Sequence, residues 1–208
     1  MGSVVFAEDH PVVALATRIL LQELGYKEIY VVSRGVDVVP MIREHSPEVV
    51  ILDLNLPGMG GLEVLERIQI IGIACKVVIF TSADPEHFMV RCRQAGAMAF
   101  VNKSAELRQL QNAIKAVRSG YSYFPELPAV NAGQPGVHSN EKALIERLSN
   151  REMYILLQLA HGKSNKLIAE EMSLSHKTIS TYKTRLMLKL GVSSLVLLRE
   201  FVKRNGLF

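Results

Sequence analysis

The stretch P47-E-V-V-I-L-D-L-N-L-P-G-M-G-G-L-E-V-L65 carries the reading from which the fold follows. Val49–Leu52 is an uninterrupted β-branched and aliphatic run, the pattern of a strand buried on both faces, and it stops at a carboxylate, Asp53. A loop of Pro and Gly follows, and apolar residues at helical spacing resume at 61–70. Strand, acidic residue, Gly-rich loop and helix form one βα unit with a polar group at the strand's carboxyl end.

The same unit recurs on either side. Strand runs at Ser3–Ala7, Glu28–Ser33, Val49–Asp53, Lys76–Thr81 and Ala99–Val101 alternate with helical patterns at 11–24, 35–45, 61–70, 85–95 and 104–119. Five strands alternating with five helices predict an α/β fold, a doubly wound five-stranded parallel sheet covered on both faces. PELPAVNAGQPGVHSN (125–140), rich in Pro and Gly, breaks the pattern. Beyond it no strand run occurs, and helical patterns at 141–160, 164–172, 175–190 and 193–204 predict a small all-α domain. The expected division is 1–121, a linker at 122–143, and 144–208.

The 208 residues carry a net charge of +4, unevenly distributed. Residues 1–125 hold 12 basic and 13 acidic side chains, whereas residues 141–208 hold 12 basic and 6 acidic. The positive field therefore belongs to the C-terminal part, as expected where a polyanion is met. Two cysteines, Cys75 and Cys92, are too few for a disulfide framework, and the six histidines are too scattered for a zinc site. No apolar run approaches the roughly 20 residues that span a bilayer, and the N-terminus lacks a basic, signal-like start. A cytoplasmic protein without membrane contact is expected.

In a doubly wound sheet, chemistry gathers at the carboxyl ends of the strands. Strand one ends in Glu8-Asp9, strand three in Asp53, strand four in Thr81-Ser82, and strand five leads into Asn102-Lys103. Each alone could be a helix cap or a surface residue. Together, three carboxylates, a hydroxyl and an ammonium on one rim suit a hard divalent cation such as Mg²⁺ and a phosphoryl group, with Asp53 as acceptor.

In the C-terminal part, Ser149 and Glu152 have the spacing of a capping box. Ser173-Leu174-Ser175 makes a tight turn between two helices, the spacing of a helix-turn-helix. The helix after the turn presents Lys177, Thr178, Ser180, Thr181, Lys183, Thr184 and Arg185 around inward Ile179, Leu186 and Leu190, a basic, hydroxyl-rich face suited to the major groove of duplex DNA. Tyr182 is read as packing.

EDHP (8–11), PEVVILDLNLPGMGGLEVL (47–65), VVIFTSA (77–83) and AGAMAFVNKS (95–104) resemble the receiver domain of two-component response regulators, which has a flavodoxin-like fold. The resemblance implies phosphorylation of Asp53 by a sensor histidine kinase, and Mg²⁺ held by Glu8, Asp9, Asp53 and the carbonyl of Asn55. It also implies a switch formed by Thr81, Phe100 and Lys103. Gly60 stands where the family often has a capping Asp or Asn, so the 58–61 loop is expected to be mobile. The run 148–192 resembles the LuxR-type DNA-binding domain of the NarL/FixJ class, of the BvgA/EvgA sort. That resemblance implies base contacts from Ser180, Thr181 and Thr184, and phosphate contacts from Lys177, Thr178, Lys183, Arg185 and Lys189. Dimerisation would follow through 193–204, with Leu195, Leu198 and Val202 as the exposed apolar face.

The expected protein is a transcriptional switch binding two-fold promoter sites as a dimer, not an enzyme. An alternative is a regulator that binds DNA without phosphorylation and uses a receiver-like domain to dimerise. An Mg²⁺-dependent phosphatase would want an acid two residues after Asp53, where Asn55 stands. A ligand-sensing front half would want an aromatic-lined pocket, yet aromatics are 6% and Trp is absent.

Overall fold

The computed structural model describes residues 2–126 and 137–207. The chain divides into two compact units, Met1–Glu126 and Leu127–Phe208.

In the first unit the strands β1 (Val4–Ala7), β2 (Ile29–Val32), β3 (Val49–Leu52), β4 (Lys76–Thr81) and β5 (Ala99–Asn102) alternate with α1 (Pro11–Glu23), α2 (Gly35–His45), α3 (Gly61–Ile71), α4 (Pro85–Gln94) and α5 (Leu107–Arg118). All strand pairs are parallel, in the order β2-β1-β3-β4-β5. The central strands are short and almost wholly apolar because helices cover both faces. Val4, Phe6, Val49, Ile51, Val78, Phe80, Ala99 and Val101 face a core closed by Leu20 and Leu21 of α1 and Leu110, Ile114 and Val117 of α5. By strand alternation Val5, Ala7, Val50, Leu52, Ile79, Thr81 and Phe100 point to the other face. The chain leaves β1 to one side for β2 and crosses to the other for β3, so a crevice opens beyond the carboxyl ends of β1 and β3.

The β3–α3 loop departs from the expected mobile segment. Gly58, Met59, Gly60 and Gly61 are buried, and the Gly35 amide donates to the Pro57 carbonyl at 3.0 Å. A Cβ on Gly35 would run into the Met59 carbonyl oxygen, and one on Gly61 into the Asp53 carbonyl oxygen. These glycines permit close backbone packing, which fixes the loop instead of freeing it. Gly60, at the N-cap of α3, makes no side-chain cap, as its lack of a side chain requires.

In the second unit, α6 (Val137–Glu146), α7 (Asn150–Ala160), α8 (Asn165–Glu171), α9 (His176–Leu190) and α10 (Leu195–Arg204) follow one another. The single helix expected over 141–160 is two, since Ser149 is extended and closes a capping box with Glu152 that starts α7 afresh. Helix α6 begins at Val137, inside the stretch read as linker, while residues 127–136 lie outside the described residues. Helix α7 is buried continuously from Glu152 to Ala160, and α8, α9 and α10 pack around it. Ser164, Ser175 and Ser194 each cap the helix that follows, accepting from Leu167, Thr178 and Leu197 amides. Among the described residues no helix is long and apolar enough to cross a membrane.

Candidate functional site

The crevice beyond β1 and β3 gathers the residues expected there. Glu8 follows β1 and Asp53 follows β3, and the Asp53 amide donates to the Ala7 carbonyl at 3.1 Å, which holds the two strand ends in step. Both carboxylates are almost fully enclosed, at 0% and 1% side-chain exposure. Charges so buried require a partner. Lys103 supplies it, with Nζ at 2.6 Å from Glu8 Oε2 and 2.7 Å from Asp53 Oδ2. Burial by itself lowers the pKa of Lys103, but the charges and hydrogen bonds of Asp53 and Glu8 outweigh it and raise the value above that of an ordinary lysine. Lys103 is aimed by its backbone, because its amide donates to the Thr81 carbonyl at 2.8 Å across the β4–β5 ends.

The remaining oxygen of Asp53, Oδ1, accepts from the Asn55 amide at 3.3 Å. Thr81 is fully buried at the end of β4, and its hydroxyl accepts from the Ala83 amide at 3.3 Å. Phe100, 1% exposed, lies on the same sheet face as Thr81, in register with Ile79. Asn102 holds the β4–α4 loop by donating to the Ala83 carbonyl at 3.0 Å. The structure thus joins Glu8, Asp9, Asp53, Asn55, Thr81 and Lys103 at one rim, with Phe100 one step down the sheet.

His10 belongs to this cluster, although its scattered spacing from the other histidines set it aside in the sequence. Its Nδ1 lies 2.9 Å from Asp9 Oδ1 and 3.2 Å from Glu8 Oε1, and its amide donates to Glu8 Oε1 at 3.0 Å. Adjacency to the acidic pair, not histidine spacing, carried that information. One ligand atom each from Glu8, Asp9, His10 and Asp53 falls within 4.8 Å of the others. Glu8 Oε2 is buried and is met at 2.6 Å by the Lys103 ammonium. Carboxylate oxygens gathered this closely fit a hard divalent ion.

The second unit presents the expected polar face on α9. Lys177, Thr181, Thr184 and Arg185 are exposed, and Thr178, Ser180 and Lys183 half-exposed, while Ile179, Leu186 and Leu190 turn inward. The hydroxyls of Thr181 and Thr184 donate to the Lys177 and Ser180 carbonyls at 3.0 and 3.1 Å, which leaves their oxygens able to accept. A concavity of about 370 Å³ is lined by Ser175, Lys177, Thr178, Thr181, Tyr182 and Arg185, so Tyr182 contributes to the surface as well as to packing.

One expectation is corrected, on α10, and one residue of α9 has a second partner. Lys189, with its side chain 45% exposed, is ion-paired with Glu152 at 2.7 and 2.8 Å, which fastens α9 to α7. Leu198 and Val202 are fully buried with Phe201, because that face of α10 closes the core against α7. The exposed apolar residues of α10 are Leu195, Val196 and Leu197, at 37%, 65% and 42%.

The sequence matches the response regulator receiver domain family over residues 4–115 and the luxR family of bacterial regulatory proteins over 146–201. It is 42% identical to the positive transcription regulator BvgA of Bordetella pertussis over 206 residues, covering 99% of each chain. It is 36% identical to the DNA-binding transcriptional activator EvgA of Escherichia coli K12 over 205 residues, covering 97% of each. Among solved structures, RcsB in complex with DNA shares the fold at 22% identity with a TM-score of 0.69, covering 96% of this chain and 97% of that one. These relatives are transcription regulators, not enzymes. With a receiver ahead of a LuxR-type helix-turn-helix, and end-to-end similarity to such regulators, the chain belongs to the LuxR-type transcriptional response regulators of two-component systems.

Proposed function

We propose that Asp53 accepts a phosphoryl group from a sensor histidine kinase in the bacterial cytoplasm and that this modification controls binding of a chain dimer to two-fold promoter DNA. The observation that carries the reading is an enclosed Asp53 whose Oδ2 is held by Lys103 at 2.7 Å, beside Thr81 and the Glu8-Asp9 pair. Glu8, Asp9, Asp53 and the Asn55 carbonyl would hold Mg²⁺, which when bound offsets the negative charge shared by acceptor and phosphoryl group.

An Asp53 oxygen attacks phosphorus as the bond to the donor imidazole breaks, leaving an acyl phosphate on the carboxylate. Lys103 then pairs with a phosphoryl oxygen, and Thr81 turns its hydroxyl from the Ala83 amide to donate to another. Space left by Thr81 is taken by Phe100, shifting a pre-existing equilibrium toward the active packing of α4 and β5. Ser180, Thr181 and Thr184 meet base edges, while Lys177, Thr178, Lys183, Arg185 and Lys189 meet phosphates. Pairing of two chains uses Val196 and its apolar neighbours on α10, since Leu198 and Val202 are spent on the core.

The test is selection from a random duplex DNA library by the full chain treated with acetyl phosphate and Mg²⁺. An inverted-repeat sequence enriched by the wild type and not by Thr184→Ala is expected. Absence of any enriched sequence, or equal enrichment by Asp53→Asn, would overturn the reading.

A further inference from the structure

The segment that follows α5 does not leave the receiver at once. Tyr121 donates its amide to the Ala116 carbonyl at 2.9 Å, which ends the helix, and the chain then lies along the outer edge of β5. Tyr123 pairs in parallel with Ala99, its amide donating to the Met98 carbonyl and its carbonyl accepting from the Phe100 amide, both at 2.9 Å. A single residue thus extends the sheet past β5 and covers part of an otherwise open edge.

Neighbouring side chains of this segment hold different elements. Tyr123 packs against the core cluster that α1 and α5 close, and Phe124 lies beneath Arg93 of α4, with the guanidinium carbon 4.2 Å from the ring centre. The segment touches α4, β5 and the α1–α5 core together, and its carbonyl is bonded to the amide of Phe100, the aromatic assigned above to the switch. From Phe124 the chain runs on through Pro125 toward the second unit.

We propose that residues 121–124 act as a strap that senses the packing of α4 and β5 and passes it to the linker: when the receiver is phosphorylated the strap loosens, and when it is not the strap restrains the chain leading to the DNA-binding unit. The inference rests on Asp53 as the phosphorylation site. Its physical basis is that the strap hangs on few anchors, three backbone hydrogen bonds, one cation–π contact and one packed tyrosine, so its opening is far cheaper than that of the sheet. Two of those anchors, the Phe100 amide and Arg93, sit on the elements that move if Phe100 turns.

The experiment is amide hydrogen exchange, residue by residue, on the full chain with Mg²⁺, with and without beryllofluoride as the phosphoryl stand-in. Exchange of the Tyr123 amide is expected to quicken at least about fivefold, alongside changes at Thr81 and Phe100. Changes at Thr81 and Phe100 with Tyr123 unaltered would overturn the strap and leave the Asp53 assignment standing. No change anywhere in the receiver would overturn the Asp53 assignment and the strap with it. A second measurement removes the α4 anchor. Phe124→Ala should still be phosphorylated by acetyl phosphate, yet the ratio of DNA affinities with and without beryllofluoride should fall at least about threefold, with Phe124→Tyr restoring it. A full ratio in Phe124→Ala refutes the restraint.

Discussion

Lys103→Met removes the ammonium that touches two enclosed carboxylates at 2.6 and 2.7 Å and leaves a side chain of similar length in its place. Glu8 and Asp53, at 0% and 1% side-chain exposure, then lose their shared cation and keep only the His10 contacts and the Asn55 amide among the described residues. Breaking a buried pair by deleting one partner costs about 3–5 kcal/mol, because the charge left behind is desolvated without relief. For a unit of this size, that corresponds to a fall in Tm of about 10–20 °C in EDTA. The cation supplies a further, opposite prediction. At the proposed Mg²⁺ site a divalent ion competes with Lys103 for the carboxylates in the wild type, whereas in the variant that competitor is gone. A free cation at ten times its Kd stabilises by about 1.4 kcal/mol, and at a hundred times by about 2.7 kcal/mol. If losing the lysine tightens binding about tenfold, Mg²⁺ should raise the variant's Tm by about twice as much as the wild type's. Scanning calorimetry of the full chain in EDTA and in Mg²⁺ measures both. A variant that melts with the wild type in EDTA, or that Mg²⁺ stabilises no more than the wild type, refutes the reasoning.

Glu152→Gln probes the fastening of α9. Burial pushes the Glu152 carboxyl up, but the hydrogen bonds of Lys189 and Ser149 and the Lys189 charge outweigh this and hold it below its ordinary value of 4.5. A group depressed in the folded state stabilises above its unfolded pKa and loses that contribution as pH falls through the folded one. The wild type should therefore exceed the variant by about 1–2 kcal/mol at pH 7, and in thermal melts the margin should close as pH falls below 4.5 through the depressed folded value. Thr184→Ala and Lys183→Ala should each weaken DNA binding by about 1–2 kcal/mol, and only Lys183→Ala should flatten the salt dependence, by about one unit of slope in fluorescence anisotropy titrations. Val196→Asp should leave the fold intact and abolish the doubling of mass on treatment with acetyl phosphate in sedimentation equilibrium, whereas Leu198→Asp should unfold the second unit, since Val196 is 65% exposed and Leu198 fully buried.

The sheet was legible because parallel strands buried on both faces read as unbroken β-branched runs, and the alternation with helices leaves few topologies. The pocket was legible for a related reason, since Glu8, Asp9, Asp53, Thr81 and Lys103 each close a strand or follow one directly. What escaped depends on contacts distant in sequence. Gly58–Gly61 read as a free loop, yet α2 packs onto it through Gly35, and no local pattern announces a neighbour's carbonyl. Leu195, Leu198 and Val202 share helical spacing, but which side of α10 meets α7 is decided by the rest of the core. The tie between Lys189 and Glu152 is invisible locally because the two lie 37 residues apart. Over 141–160 apolar periodicity continues through Ser149, and the capping box there is the one local sign that a new helix starts.

The central claim is that Asp53 is the phosphorylated residue, and intact mass spectrometry tests it most directly. The wild type and Asp53→Asn are incubated with acetyl phosphate, with and without Mg²⁺. The account predicts a single added phosphoryl group in the wild type only, and only when Mg²⁺ is present. The same adduct on Asp53→Asn, or its formation by the wild type in EDTA, would contradict the assignment of the acceptor or of the cation that serves it.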